Sequence, residues 1–215
     1  MYMKIKRLID IILSLVGLIV LSPIFLILIL GIKLDSKGPI LFKQKRIGIY
    51  KTHFNILKFR TMRIDTPKDT PTHLLDNPEQ YITKIGKFLR KTSLDELPQI
   101  WNIFVGQMSV IGPRPALWNQ YDLITERDLY NANDVLPGLT GWAQINGRDE
   151  LPIEVKAKLD GEYVKRMSLW FDVKCFFGTI VSVVKSDGII EGRTVTTEKK
   201  EFVISKETPS ARKSK

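Results

Sequence analysis

Apolar residues fill positions 11–32 without a single charge, and shorter patterned runs follow along the rest of the chain. As a straight helix these 22 residues would reach ~33 Å, enough to cross a bilayer. The run is too long for a signal peptide, and no small-x-small cleavage site follows it. Ser22-Pro23 falls at its centre, where proline removes a backbone donor and clashes with the preceding turn. Both flanks are basic, with Lys4, Lys6 and Arg7 before and Lys33, Lys37, Lys43, Lys45 and Arg46 after. Positive residues favour the cytoplasmic side, so both ends favour the same face. Two forms remain open: a kinked spanning helix, or a broken helix that dips in and returns. The second satisfies the proline and the charge symmetry together. Residues 1–36 are therefore read as a membrane-embedded re-entrant helix broken at Ser22 and Pro23.

Beyond it, residues 39–44 and 52–60 read as two short strands around a turn containing Gly48. In the second strand Phe54, Ile56, Lys58 and Arg60 share parity, so one face carries two cations beside apolar residues. That face suits either solvent or an anion. Residues 64–78, with Pro67, Pro71, Asn77 and Pro78, form a polar loop. Over 79–91, Tyr81, Ile82, Ile85, Phe88 and Leu89 recur at helical spacing and place Arg90 near a helix C-terminus. A second helix is expected over 95–105, with Ile100, Ile103 and Phe104 as its buried stripe. Residues 131–148 carry glycine and proline with little periodicity and are expected to form an ordered loop. Past Glu162, the residues Trp170, Val173, Phe177, Ile180, Val181 and Val184 fall on one helical face, a pattern expected of core packing. The nearby Trp170, Phe171, Phe176 and Phe177 leave an interfacial role beside a bilayer open. From Gly192 the charged, Ser/Thr-rich composition predicts a disordered tail over 192–215. The fold class expected is mixed α and β: a helix-rich soluble catalytic domain over 37–191 with a small β-hairpin, plus the re-entrant membrane helix.

At 215 residues the chain suits one domain with a real core. The net charge of +10 suits a solvated basic surface or attraction to phosphate, and the apolar N-terminus turns the second option toward membrane and away from nucleic acid. A single cysteine, Cys175, cannot close an internal disulfide, which fits a reducing compartment. Only His53 and His73 are present, so a Cys/His zinc site is not expected.

The chemistry concentrates in Ser93-Leu94-Asp95-Glu96-Leu97-Pro98-Gln99 and Gly112-Pro113-Arg114-Pro115. Pro98 is comfortable only in a first helical turn, which sets the helix start near Asp95. Asp95 would then meet the helix dipole and free N–H groups, as a plain N-cap or as a working carboxylate. In the working reading one carboxylate attacks phosphorus while its neighbour holds a divalent cation. A carboxylate attacking another anion needs cations close by. Arg114 is one candidate, held extended by Pro115 and stiffened by Pro113, and suited to forked contact with phosphate. There is no P-loop, dinucleotide glycine fingerprint or Gly-x-Ser-x-Gly elbow, and no Asp-x-Asp of an ordinary nucleotide-sugar glycosyltransferase.

Together with Lys58-Phe59-Arg60-Thr61-Met62 and Pro137-Gly138-Leu139-Thr140-Gly141-Trp142-Ala143-Gln144-Ile145-Asn146-Gly147-Arg148, these motifs resemble the bacterial sugar transferase family. Its members are monotopic phosphoglycosyl transferases that initiate capsule, exopolysaccharide and glycoprotein glycan assembly. The resemblance runs from about Lys6 to Gly188 and looks like the small form. It implies attack by the Asp of the pair on the β-phosphate of a UDP-sugar donor, release of UMP, and capture of the phosphosugar by an undecaprenyl phosphate acceptor. On that resemblance Asp95 is the nucleophile and Glu96 the Mg²⁺-binding partner. Lys58, Arg90 and Arg114 match the cations that bind substrate phosphate, while Thr140 and Arg148 fall in a donor-binding loop. Ser22-Pro23 matches the helix-breaking pair. The implied location is the bacterial inner membrane, with the catalytic domain on its cytoplasmic face against membrane lipids. Arg46-Ile47-Gly48 departs from the common Arg-Pro-Gly, and Gln107 stands where an acidic residue is frequent. Two alternatives differ in product: a glycosyltransferase moving the sugar alone would leave UDP, and a non-enzymatic basic membrane adaptor would leave neither nucleotide.

Overall fold

A computed structural model describes residues 2–66, 78–147 and 151–184. The apolar N-terminal run folds as two helices, α1 (Tyr2–Val20) and α2 (Ser22–Asp35), bent by 60° at a one-residue break. The cause is local. Pro23 has no N–H to give the carbonyl of Ile19 four residues back, and the Ser22 hydroxyl donates to that carbonyl instead, at 2.7 Å. Among the described residues no single helix is long and apolar enough to cross a membrane, whereas the bent pair meets that length and composition jointly.

The side of α1 that packs inward is polar. Lys6, Asp10 and Ser14 recur every fourth residue and are buried, while Leu8, Ile12, Leu15 and Ile19 face outward. Ser14 donates back to the Asp10 carbonyl of its own helix, while the charged groups on and beside this side reach the rest of the domain. Lys6 pairs with Asp172 at 2.5 Å, Asp10 accepts from the Val110 N–H at 3.0 Å, and Arg7 donates to the carbonyls of Ile103 and Phe104. The basic N-terminal flank, read from sequence only as a topology signal, is thus also part of the domain packing.

Strands β1 (Leu41–Ile47) and β2 (His53–Phe59) form an antiparallel hairpin, with β1 running three residues further than the pattern predicts. Phe54 and Ile56 lie buried with Ile103 and Met108, and Lys58 shares their face as its parity required. Arg60 does not join Lys58. Lying past the strand end, it is buried against the chain leaving α2 and donates to the carbonyls of Ser36 and Lys37.

Helix α3 (Lys84–Lys91) starts five residues later than expected, because a short 3₁₀ turn (Pro78–Tyr81) precedes it and Thr83 caps it by accepting from the Gly86 N–H. Helix α4 (Gln99–Phe104) follows. Strand β3 (Ser109–Ile111) then pairs in parallel with β4 (Gly138–Thr140), and α6 (Trp142–Ile145) comes directly after. The ordered loop expected over 131–148 therefore holds only as far as Pro137; a strand and a short helix follow. The strand's partner is distant in sequence and leaves no local trace. The pairing also needs glycine: a Cβ on Gly138 would stand 2.1 Å from the Gly112 nitrogen.

Helices α5 (Tyr121–Asp128) and α7 (Ile153–Arg166) pack together around a buried Arg127–Asp160 ion pair of 2.6 Å. The last described helix, α8 (Leu169–Val184), buries Phe171 and Cys175. Its predicted core stripe is instead exposed at Trp170, Phe177, Ile180 and Val181. Periodicity shows that a helix has an apolar face but not what covers it. Most of the polar loop at 64–78, and the whole predicted tail, lie outside the described residues.

Candidate active site

Helix α3 ends at Lys91, and Ser93 then takes a left-handed conformation (φ 56°, ψ 16°) that turns the chain sharply. A single 3₁₀ turn, Leu94–Glu96, follows, closed by the Glu96 N–H donating to the Ser93 carbonyl at 3.2 Å. Helix α4 begins only after Pro98, which caps it rather than entering its first turn. Asp95 and Glu96 therefore do not open a long helix at 95–105, and it is side-chain cations rather than a helix dipole that face them.

Three elements bring those cations. Lys58, from β2, donates to Glu96 Oε1 at 2.7 Å and lies 3.8 Å from Asp95 Oδ2. Arg114, from the loop after β3, donates to the same Glu96 oxygen at 3.0 Å. Arg90, in the last turn of α3, is oriented by a 2.9 Å bond from its Nε to the Thr61 hydroxyl, and its charge reaches Asp95. Thr61 is buried beside β2; it lies in the Lys58–Met62 motif, where sequence alone assigns it no role.

The two carboxylates respond in opposite directions. Burial raises the Asp95 carboxyl above its ordinary range and the charge of Glu96 adds to the rise; Lys58, Arg90 and Arg114 oppose it without cancelling it. Burial also works against ionised Glu96, but the charges and hydrogen bonds of Arg114 and Lys58 outweigh it and hold that carboxyl well below the usual range. Glu96 is thus a fixed anion, while Asp95 is a partly desolvated carboxylate next to positive charge. A weakly solvated, higher-pKa carboxylate is the better nucleophile of the two.

Among the described residues no group of three or more His, Cys, Asp or Glu stands together as a metal cluster, and Asp95 and Glu96 are two adjacent carboxylates. That set fits magnesium, which is normally held by one or two carboxylates and fills its remaining positions with water and phosphate oxygens.

The whole described chain matches the family model for bacterial sugar transferases, which covers residues 1–186. The chain belongs to the bacterial sugar transferase family. It is 40% identical over 197 residues to a protein named uncharacterized sugar transferase EpsL from Bacillus subtilis, covering 92% of this chain and 96% of that one. It is also 40% identical over 183 residues to the UDP-glucose:undecaprenyl-phosphate glucose-1-phosphate transferase of Escherichia coli, covering 81% of this chain. A third relative, the UDP-N-acetylgalactosamine-undecaprenyl-phosphate N-acetylgalactosaminephosphotransferase of Aeromonas hydrophila, is 36% identical over 193 residues and 87% of this chain. The chain spans 39% and 45% of the length of those last two relatives.

In this transferase Thr140 ends β4, buried, and its hydroxyl shares a 2.7 Å hydrogen bond with Thr179 of α8. Arg148 lies outside the described residues. Two basic residues of the N-terminal flanks make side-chain bonds to elements that carry the site. Arg7 caps the C-terminal end of α4, and Arg46 on β1 donates to the carbonyl of Pro115 at 3.0 Å.

Proposed function

We propose that this transferase moves a sugar 1-phosphate from a UDP-sugar to undecaprenyl phosphate, releasing UMP, through a covalent intermediate on Asp95. The observation that carries this reading is the split pair: a permanently ionised Glu96 tied to Lys58 and Arg114, beside a desolvated Asp95 facing Lys58 and Arg90. The names of relatives at 36–40% identity supply the donor and acceptor classes.

Asp95 attacks the β-phosphorus, a P–O bond forms to its carboxylate, and the bond to the bridging oxygen breaks with its electron pair leaving on UMP. A phosphate oxygen of the acceptor then attacks the same phosphorus and returns the Asp95 carboxylate. Lys58, Arg90 and Arg114 balance the phosphate charge that accumulates as two anions approach. Glu96 would hold Mg²⁺, which supplies further charge neutralisation to the phosphate oxygens when bound. The bent α1–α2 pair, apolar on its outer side, acts as a re-entrant anchor that keeps this chemistry at the cytoplasmic face of the inner membrane, where a lipid-borne acceptor resides. This begins a membrane-bound glycan such as a capsule or exopolysaccharide.

The test is a screen of purified enzyme against a panel of UDP-sugars. UMP release with an active donor, and label from that donor retained on Asp95 after denaturation without acceptor, are the expected results. Asp95→Asn should lower turnover by about 10³-fold or more. UDP in place of UMP would favour transfer of the sugar alone, and full turnover by Asp95→Asn would overturn the covalent route.

A further inference from the structure

Arg114 hangs between two prolines, neither of which has an N–H with which to anchor the loop. Both proline carbonyls of the loop are taken as acceptors. The Pro113 carbonyl accepts from the Gly138 N–H at 2.8 Å, a backbone clamp from β4. The Pro115 carbonyl accepts from Arg46 Nη1 at 3.0 Å, a side-chain clamp from β1. Gln44, two residues earlier on the same strand, orients that guanidinium by accepting from Arg46 Nη2 at 2.6 Å. The Ile47 N–H to Ala116 carbonyl bond, also 3.0 Å, continues the seam, and Arg46 bridges to Leu117 beyond it.

We propose that Arg46 is a positioning residue for the phosphoryl-transfer site: it sets where Arg114 stands relative to Glu96 by holding the Pro115 carbonyl. The inference rests on the functional reading of Asp95 and Glu96 given above. The β-hairpin then carries both cations that grip Glu96, Lys58 directly from β2 and Arg114 at one remove through β1. In the antiparallel register Lys58 stands opposite Phe42 and Arg46 opposite Phe54, four residue pairs apart along the one hairpin. A guanidinium suits the task because its two ends bind two acceptors at fixed geometry, which an ammonium cannot copy.

The test is a double-mutant cycle on kcat in the full-length, detergent-solubilised enzyme, using Arg46→Ala, Arg114→Ala and the pair. Arg46→Ala should lower kcat by about tenfold in the native background and by less than about twofold once Arg114 is already alanine. Arg46→Lys should recover little of the loss, and Gln44→Ala should show a smaller effect with the same dependence on Arg114. Equal losses from Arg46→Ala in both backgrounds would overturn the proposal, because a merely structural residue harms both alike. If Arg46→Ala does not fold, the cycle with Gln44→Ala decides by the same criterion. Asp95→Asn, measured alongside, tests the nucleophile separately: its retention of turnover would remove the covalent reading whatever the cycle shows.

Discussion

Lys58 stands 2.7 Å from Glu96 Oε1 but 3.8 Å from Asp95 Oδ2, so one ammonium grips the first carboxylate and only faces the second. Arg114 and Lys58 together hold Glu96 ionised, and Asp95 keeps enough of its desolvation to titrate above its ordinary value of 3.8. A protonated Asp95 cannot attack phosphorus. Turnover should therefore fall on the acid side at a pH above that of a free aspartate. Lys58 is the largest charge opposing the rise, so Lys58→Met should move this limb to higher pH even as it lowers the rate. Glu96→Gln removes a like charge and should move it lower. Profiles of log kcat against pH for the three enzymes check the two signs, and a limb unmoved in both variants would show that another group governs it.

The same pair makes a stability prediction in acid. Glu96 has a folded value below its unfolded one, so the folded state gains from its ionisation above about pH 4.5 and loses that gain as pH falls. Glu96→Gln should therefore flatten the acid limb of a melting-temperature profile. Asp95 acts oppositely. Its raised value makes the folded state lose stability as pH rises through and above 3.8, and Asp95→Asn should raise the melting temperature near neutrality. A nucleophile replacement that stabilised the fold while abolishing turnover would separate function from folding at one residue. An Asp95→Asn enzyme that melts lower than the parent at neutral pH contradicts this assignment of strain.

Arg127 and Asp160 form a pair whose side chains are only 4% and 2% exposed. Two nitrogens of Arg127 converge on one Asp160 oxygen, at 2.8 and 2.6 Å. Removing one partner leaves the other charged in a desolvated space, so Arg127→Leu or Asp160→Leu should cost about 3–5 kcal/mol. Replacing both with leucine should cost far less than the sum of the two. Chemical denaturation of the three variants checks this, and additive losses would show that the two residues act independently.

Much of the site was legible because its residues sit where local rules are strict. Parity along β2 put Lys58 on the face of Phe54 and Ile56, helical spacing put Arg90 at the end of α3, and Pro23 marked the break between α1 and α2. The start of α4 was misplaced because proline suits an N-cap as well as a first turn, and nothing local announces the left-handed Ser93. Helices α5 and α7 gave weak signals for a different reason. What α7 buries is Ala157, Asp160, Gly161 and Tyr163, and what α5 buries is Leu123 and Arg127, so small and charged residues break up each inner apolar face. Helix α1 goes further, with Lys6, Asp10 and Ser14 inside. A polar stripe buried by specific partners cannot be seen from hydrophobic periodicity alone.

Ser93 carries a backbone prediction. At φ 56° a serine bears a strain that a β-branched residue would bear much more heavily. Ser93→Val should destabilise the fold by about 1–3 kcal/mol and displace the Asp95–Glu96 turn, lowering kcat as well. Ser93→Gly takes the left-handed region freely and should keep both stability and turnover. If Ser93→Val melts and turns over like the parent, the left-handed turn does not set the carboxylates.

The bend at Leu21 predicts topology. If Ser22-Pro23 returns the chain, the start of α1 and the catalytic domain share the cytoplasmic face. Lys4 is exposed on α1, and Lys4→Cys provides a reactive handle there. Cys175 needs no replacement: it is fully buried, and burial pushes its thiol up to about 11. A membrane-impermeant thiol reagent applied to intact spheroplasts should leave Lys4→Cys unlabelled. Replacing Ser22 with alanine and Pro23 with leucine restores the amide to the Ile19 carbonyl and a continuous helix over 11–32 of ~33 Å. In that background the handle should become externally reactive in part of the population. Full inversion is not expected, because the basic N-terminus resists translocation and α1 is pinned to the domain by Lys6 on Asp172 and Arg7 on the end of α4. Labelling of Lys4→Cys with the native break intact, equal to that of a periplasmic control, would show that α1 and α2 span the membrane instead of returning.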